Sequence, residues 1–167
     1  YGEQEQGAIW CKNGNWDNKI TLLTDQIKNL GAGASNWNTN GMFFASGRIL
    51  QSRIVKIGTY YRLYAAILSS GYGNAVVYSD DFGSNWKVLG DAKTSCCPDG
   101  DEAKVEELSD GTIVLSSRAQ RKRWFNVFKF TDLNAATGSW GTPTQPDRIM
   151  YGDGSPVNGD FYRLRVF

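Results

Sequence analysis

Asn74-Ala75-Val76-Val77-Tyr78-Ser79-Asp80-Asp81-Phe82-Gly83-Ser84-Asn85-Trp86 is the stretch whose reading decides the fold. Asn74 to Tyr78 reads as a short strand. The segment after it has the form Ser-x-Asp-x-Gly-x-x-Trp, set by Ser79, Asp81, Gly83 and Trp86. Physically this is a self-stapled turn. Asp81 can accept hydrogen bonds from nearby backbone N–H groups. Gly83 supplies a backbone conformation that a side chain would resist. Trp86 then buries its ring and locks the loop. Asp80 and Asp81 are therefore expected to build the turn rather than perform chemistry.

Upstream, Arg48 to Ile57 and Tyr60 to Leu68 are strand-like, and Trp86 to Leu89 supplies a fourth short strand. Four short strands with tight turns make one antiparallel unit. Downstream the plan recurs. Lys104 to Leu108 is a strand, Ser109-Asp110-Gly111 a turn, and Thr112 to Arg118 and Phe125 to Phe130 are strands. Asn74 lines up with Asn126 at an offset of 52 residues, and Trp86 with Trp140 at 54. A degenerate turn copy, two residues longer, runs from Thr131-Asp132 to Gly138-Ser139-Trp140. A four-strand repeat of roughly fifty residues marks a β-propeller blade, and the recurring aromatic argues against a sandwich. Two blades fit, near 48–90 and 103–145. Propellers close with about 4–8 blades. The chain, 1–167, is thus expected to be all-β and to form about two to three blades of a larger propeller. The remaining blades would be its partners at open strand edges.

Residues 1–40 are polar. Asn13-Gly14 is a turn signal, Lys19 to Leu23 reads as one strand, and Gly31 to Ser35 as a loop. Gly14-Asn15-Trp16 is a faint trace of the same turn pattern.

Composition narrows the function. There is no histidine, which excludes a Ser-His-Asp triad and any His-ligated metal within these residues. Lys+Arg is 18 against 17 for Asp+Glu, so net charge gives no pull toward nucleic acid. No apolar run approaches the ~20 residues of a membrane span. Hydrophobic residues make up 41%, enough for a core, and the richness in Gly, Trp, Tyr and Phe suits strands. Cys11, Cys96 and Cys97 make neither a disulfide framework nor a zinc set. They read as plain or partly buried thiols, with a bridge from Cys11 to either of the others left open. The chain opens at Tyr1 rather than Met, as a processed or excised chain would.

Glu102 and Arg118 are equidistant from Asp110, in the middle of the Ser109–Gly111 turn. In an antiparallel hairpin such residues face each other. Spacing alone describes an ordinary cross-strand ion pair. The whole segment from Asp101-Glu102 through Val105-Glu106-Glu107-Leu108-Ser109-Asp110-Gly111 to Ser116-Ser117-Arg118 says more. It resembles the central segment of bacterial exo-α-sialidases (neuraminidases). Met42-Phe43-Phe44-Ala45-Ser46-Gly47-Arg48 is similar to that family's Phe-Ala-Ala-Ser-Gly segment. The turn at Ser79–Trp86 resembles the Asp box of the same family and of some other propellers. The resemblance covers roughly residues 38 to 145.

It implies a six-bladed propeller, no metal or organic cofactor, and hydrolysis of terminal sialic acid with retention. It also implies sialylated glycans as partners and a secreted or periplasmic bacterial setting. Sialic acid carries a carboxylate on its anomeric carbon, which would repel a carboxylate nucleophile. Sialidases use tyrosine instead. A phenol with pKa ~10 needs a nearby base, and Glu102 matches the family's glutamate in that role. Arg118 matches the second of three arginines that grip the substrate carboxylate. Phe43 and Phe44 read first as blade core, and the resemblance extends the pocket to Asp101, Phe44 and Ser46.

The family's first arginine, in a Phe/Tyr-Arg-Ile-Pro segment, and its acid/base aspartate have no counterpart here. The third arginine and the tyrosine come later in the family than this chain reaches. Tyr162, Arg163 and Arg165 lie too early in the family order to replace them, and Asp17, Asp25 and Tyr151 stand in no motif. Arg121-Lys122-Arg123 reads as a solvated loop. The rival reading is a non-catalytic Asp-box propeller that binds a glycan or a protein.

Overall fold

The computed structural model of the chain describes residues 6–45, 49–119 and 122–146. Ser46, Gly47, Arg48, Arg121, Tyr151, Tyr162, Arg163 and Arg165 lie outside them. The chain begins with four two-residue strands, β1 (Gly7–Ala8), β2 (Cys11–Lys12), β3 (Asn15–Trp16) and β4 (Thr21–Leu22). β1 pairs with β4 and β2 with β3. Lys19 to Leu23 therefore contributes only two strand residues. A short helix that the sequence did not announce, α1 (Thr24–Lys28), comes next and buries Ile27.

The first large sheet contains β5 (Met42–Phe44), β6 (Leu50–Ile57), β7 (Tyr60–Ser69), β8 (Gly73–Ser79) and β9 (Lys87–Val88). β5 and β6 both pair with β7, one along each half of it. The sheet thus starts at Met42, upstream of the expected strand at Arg48. β8 is buried along its whole length, as a continuous apolar run between turn signals suggests. The second large sheet runs in simple order through β10 (Ala103–Glu107), β11 (Ile113–Arg118), β12 (Arg123–Asp132) and β13 (Thr137–Trp140). Every pairing in both sheets is antiparallel. The architecture is all-β, and the two sheets form part of a β-propeller. No helix among the described residues is long and apolar enough to cross a membrane.

Side-chain alternation sorts the core into two layers. Leu50, Tyr64, Ala66, Val76 and Tyr78 of the first sheet meet Ala103, Val105, Ile113, Leu115 and Phe128 of the second. The other face of the first sheet, with Leu63, Ala65, Ile67, Val77 and Trp86, is covered by Ile27, Trp10 and Trp37.

This layering corrects the repeat register. Val76 points from the first sheet into the shared interface, and Phe128, 52 residues on, points into it from the second. Residues related by blade repetition must point the same way round, so an offset of 52 cannot relate them. Asn74 and Asn126 share these two parities, so they do not occupy equivalent positions. Trp86 and Trp140, by contrast, obey that rule, each lying on the side of its sheet that faces the preceding part of the chain. Trp86 lies on the outer layer against Phe44, whereas Trp140 packs on Phe128 and donates its Nε1–H to the carbonyl of Leu89 at 2.8 Å.

The turn after β8 is held by its own side chains. Asp81 Oδ1 accepts from the Ser79 hydroxyl and from the Asn85 N–H, each at 2.8 Å, and Ser79 Oγ accepts from the Gly83 N–H at 2.8 Å. Gly83 has φ +83°, and a Cβ there would meet the Trp10 ring at 2.4 Å. Partial burial of the Asp81 carboxyl opposes ionisation. Hydrogen bonds from Asn85 and Ser79 outweigh it and hold the group below its ordinary range.

Arg62 is wholly buried, which the sequence did not signal. Its Nε and Nη2 donate to the two carboxylate oxygens of Asp80, at 2.6 and 3.0 Å. Nη1 and Nη2 also reach the carbonyls of Leu133 and Asn134, at 2.6 and 2.7 Å. The guanidinium thus ties the first sheet to the β12–β13 turn of the second.

Candidate active site

The hairpin β10–β11 turns through residues 108–112. Leu108 and Thr112 close it by a backbone bond of 2.9 Å, and Asp110 Oδ1 accepts from the Thr112 N–H at 3.0 Å. The register is centred on Asp110, from Glu107 opposite Ile113 to Ala103 opposite Ser117. One step further, the Arg118 N–H donates to the Glu102 carbonyl at 2.9 Å. Glu102 and Arg118 therefore stand side by side at the end of the hairpin away from its turn.

Their side chains meet as well. Arg118 Nη1 lies 3.3 Å from Glu102 Oε2, with the two side chains 28% and 27% exposed. Asp101 is the tighter partner. Its Oδ2 accepts from Arg118 Nε at 3.0 Å and also from Nη2. The Asp101 hydrogen bond, against a smaller desolvation effect, holds the guanidinium more firmly protonated. Asp101 itself is fixed by its neighbours. Its N–H donates to Ser117 Oγ at 2.9 Å, and its Oδ1 accepts from the Glu102 N–H at 2.9 Å.

The structure thus brings together Asp101, Glu102 and Arg118. It does not bring Phe44 to them, because that ring packs edge-on against Trp86 in the outer layer of the first sheet. Ser79, Asp81, Gly83 and Trp86 build the turn described above. Arg123 departs from the expected solvated loop. It begins β12 opposite Arg118, is buried, and donates from Nε to Ser116 Oγ at 2.7 Å. Its long stem pairs a buried strand position with hydroxyl and carbonyl acceptors, which sequence position alone does not disclose.

All three cysteines are free thiols. Cys96 and Cys97 are buried, and desolvation pushes both thiols up, Cys97 to about 12. A thiol so shifted stays protonated and is not a nucleophile near neutral pH.

No family model and no curated protein matches the chain. Among solved structures, it is similar to the intramolecular trans-sialidase from Ruminococcus gnavus, determined in complex with oseltamivir carboxylate. The identity is 18% and the TM-score 0.53, over 86% of this chain. The fold is sialidase-like. The chain spans 27% of the length of that sialidase. At this identity the likeness concerns the sialidase fold, and chemistry has to be argued from the side chains.

Proposed function

We propose that this chain is part of an exo-α-sialidase that removes terminal sialic acid from glycoconjugates with retention. One observation carries the reading. An arginine fork and a carboxylate stand 3.3 Å apart and partly open to solvent, at one end of a hairpin in a sialidase-like fold. Arg118 offers a planar guanidinium to the carboxylate of sialic acid. Glu102 is the base for a tyrosine nucleophile, taking the phenol proton as the oxygen attacks the anomeric carbon, while the glycosidic C–O bond breaks and the acid/base aspartate protonates the departing aglycone oxygen. The tyrosine, an acid/base aspartate and two further arginines would come from other blades of the same propeller. Hydrolysis and transfer to another sugar would use these same residues.

The test uses the complete polypeptide and a fluorogenic sialoside. Glu102→Gln keeps the shape and removes the base, so kcat should fall by about 10²–10⁴. Arg118→Lys keeps a charge and loses the fork, and should mainly weaken binding. Both variants should melt close to wild type, because a pair partly open to solvent contributes little, about 0–1 kcal/mol. Near-normal rates in both would remove Glu102 and Arg118 from the site, and no turnover by the wild type would leave a non-catalytic propeller that binds glycan or protein.

A further inference from the structure

The connection 95–101, which joins the two large sheets and delivers Asp101 and Glu102 to the hairpin, is gripped by two buried asparagines. Asn126 of the second sheet donates from Nδ2 to the Cys96 carbonyl at 2.7 Å. Asn74 of the first sheet holds the connection more extensively. Its backbone exchanges bonds with it, N–H to the Cys97 carbonyl and carbonyl from the Cys96 N–H, each at 3.0 Å. Its side-chain Nδ2 reaches past these to the carbonyl of Asp101 at 2.6 Å. The fit is close. A Cβ on Gly100 would lie 2.0 Å from Asn74 Oδ1, and one on Gly73 would lie 2.4 Å from the Cys97 carbonyl oxygen.

Asn74 is fully buried, and its Oδ1 has no hydrogen-bond partner. A buried polar atom without a partner is destabilising. A residue kept for stability alone would be better apolar at this position, on the strand face that carries Val76 toward Val105 and Leu115. What the amide does provide is a hold on Asp101. That residue in turn holds Arg118 through Oδ2 and the Glu102 N–H through Oδ1.

We propose that Asn74 is a positioning residue for the Asp101–Glu102–Arg118 cluster, setting the direction of the Arg118 fork through the backbone of Asp101. The proposal rests on reading Arg118 as the carboxylate-binding group. Asn74 touches neither substrate nor reacting atoms. Asn126 holds the far end of the same connection and serves as its control.

The test is an NMR measurement on the full chain, with the Arg118 Nε–H as reporter. In the wild type that proton is bonded to Asp101 and should exchange slowly with solvent. Asn74→Leu removes the donor while filling the space, and should speed its exchange roughly tenfold or more. The melting temperature should stay within about 3 °C. Asn126→Leu should leave the Arg118 proton protected, whatever it does to melting. Should Asn74→Leu fail to fold, Asn74→Ser draws the side chain out of reach of Asp101 without adding bulk and carries the same measurement. An Nε–H equally protected in the Asn74 variant, unprotected in wild type, or released as much by Asn126→Leu overturns the proposal.

Titration with N-acetylneuraminic acid, read at the same proton, separates this idea from the functional one. A wild-type response that weakens about tenfold in Asn74→Leu supports both, a difference of ~1.4 kcal/mol. Loss of protection without any wild-type response to the sugar would sustain the positioning role and remove the sialidase reading.

Discussion

Replacing Arg62 with Met removes the guanidinium and keeps most of the stem. In the native chain this buried group serves four acceptor positions: both oxygens of Asp80 and the carbonyls of Leu133 and Asn134. It also lies over the Tyr78 ring, 4.9 Å from its centre. Taking one partner from a buried ion pair typically costs ~3–5 kcal/mol, because the other charge is left without compensation. The Asp80 side chain is 29% exposed, so water recovers part of that, which lowers the ion-pair share to about 2–3 kcal/mol. The two carbonyls lose a charged donor, for about 1 kcal/mol more each if water does not replace it. The sum is ~4–5 kcal/mol, and at about 2–4 °C per kcal/mol for a chain of this size the melting temperature should drop by roughly 8–20 °C. Urea unfolding of wild type, Arg62→Met, Asp80→Asn and the double variant would measure both the loss and the coupling. In the double variant the second change should cost far less than it does alone. A loss below about 1 kcal/mol for Arg62→Met, or simple additivity of the two changes, would refute the brace.

Two further outcomes concern the turn after β8. Trp86→Ala removes a ring that is 5% exposed and packed on Phe44, and should cost ~3–5 kcal/mol in denaturant unfolding. Asp81→Ala should cost less, ~1–3 kcal/mol, by unfastening Ser79 and Asn85. Because the folded Asp81 carboxyl ionises below its ordinary value, its contribution is complete above the unfolded pKa of ~3.9 and disappears as pH falls through the lower folded value. Wild type and Asp81→Ala should therefore converge in stability in acid, and a constant gap down to about pH 2 would contradict this.

Much of the fold is written in local sequence. The strand–turn–strand succession from residue 48 to 140 arises from apolar runs broken by Gly, Asp and Ser, since those residue types fix where a chain can turn. The Glu102–Arg118 juxtaposition is equally local. Once the turn is centred on Asp110, antiparallel geometry places residues eight positions either side opposite each other. The self-bonded turn from Ser79 to Trp86 needs only its own side chains, so it too could be read directly.

What the sequence could not disclose is which face of a strand meets which sheet. The asparagines at 74 and 126 look like a repeat because both precede similar apolar runs. In three dimensions they reach from different sheets to one connection, Asn74 to the Asp101 carbonyl and Asn126 to that of Cys96, and only the stacking of the sheets shows it. The same limit hid Arg62, Arg123 and the hold of Asn74 on Asp101. A polar residue in a strand reads as solvent-facing until the chain brings it an acceptor from far away, 71 residues in the case of Arg62 and Leu133. Burying such a group is favourable only when that distant partner arrives, so its place is decided by tertiary packing and not by neighbours in the chain. The exposed Trp16, Ile20 and Leu22 illustrate the converse. Their apolar character is local, and whether they are covered depends on what the rest of the fold sets against them.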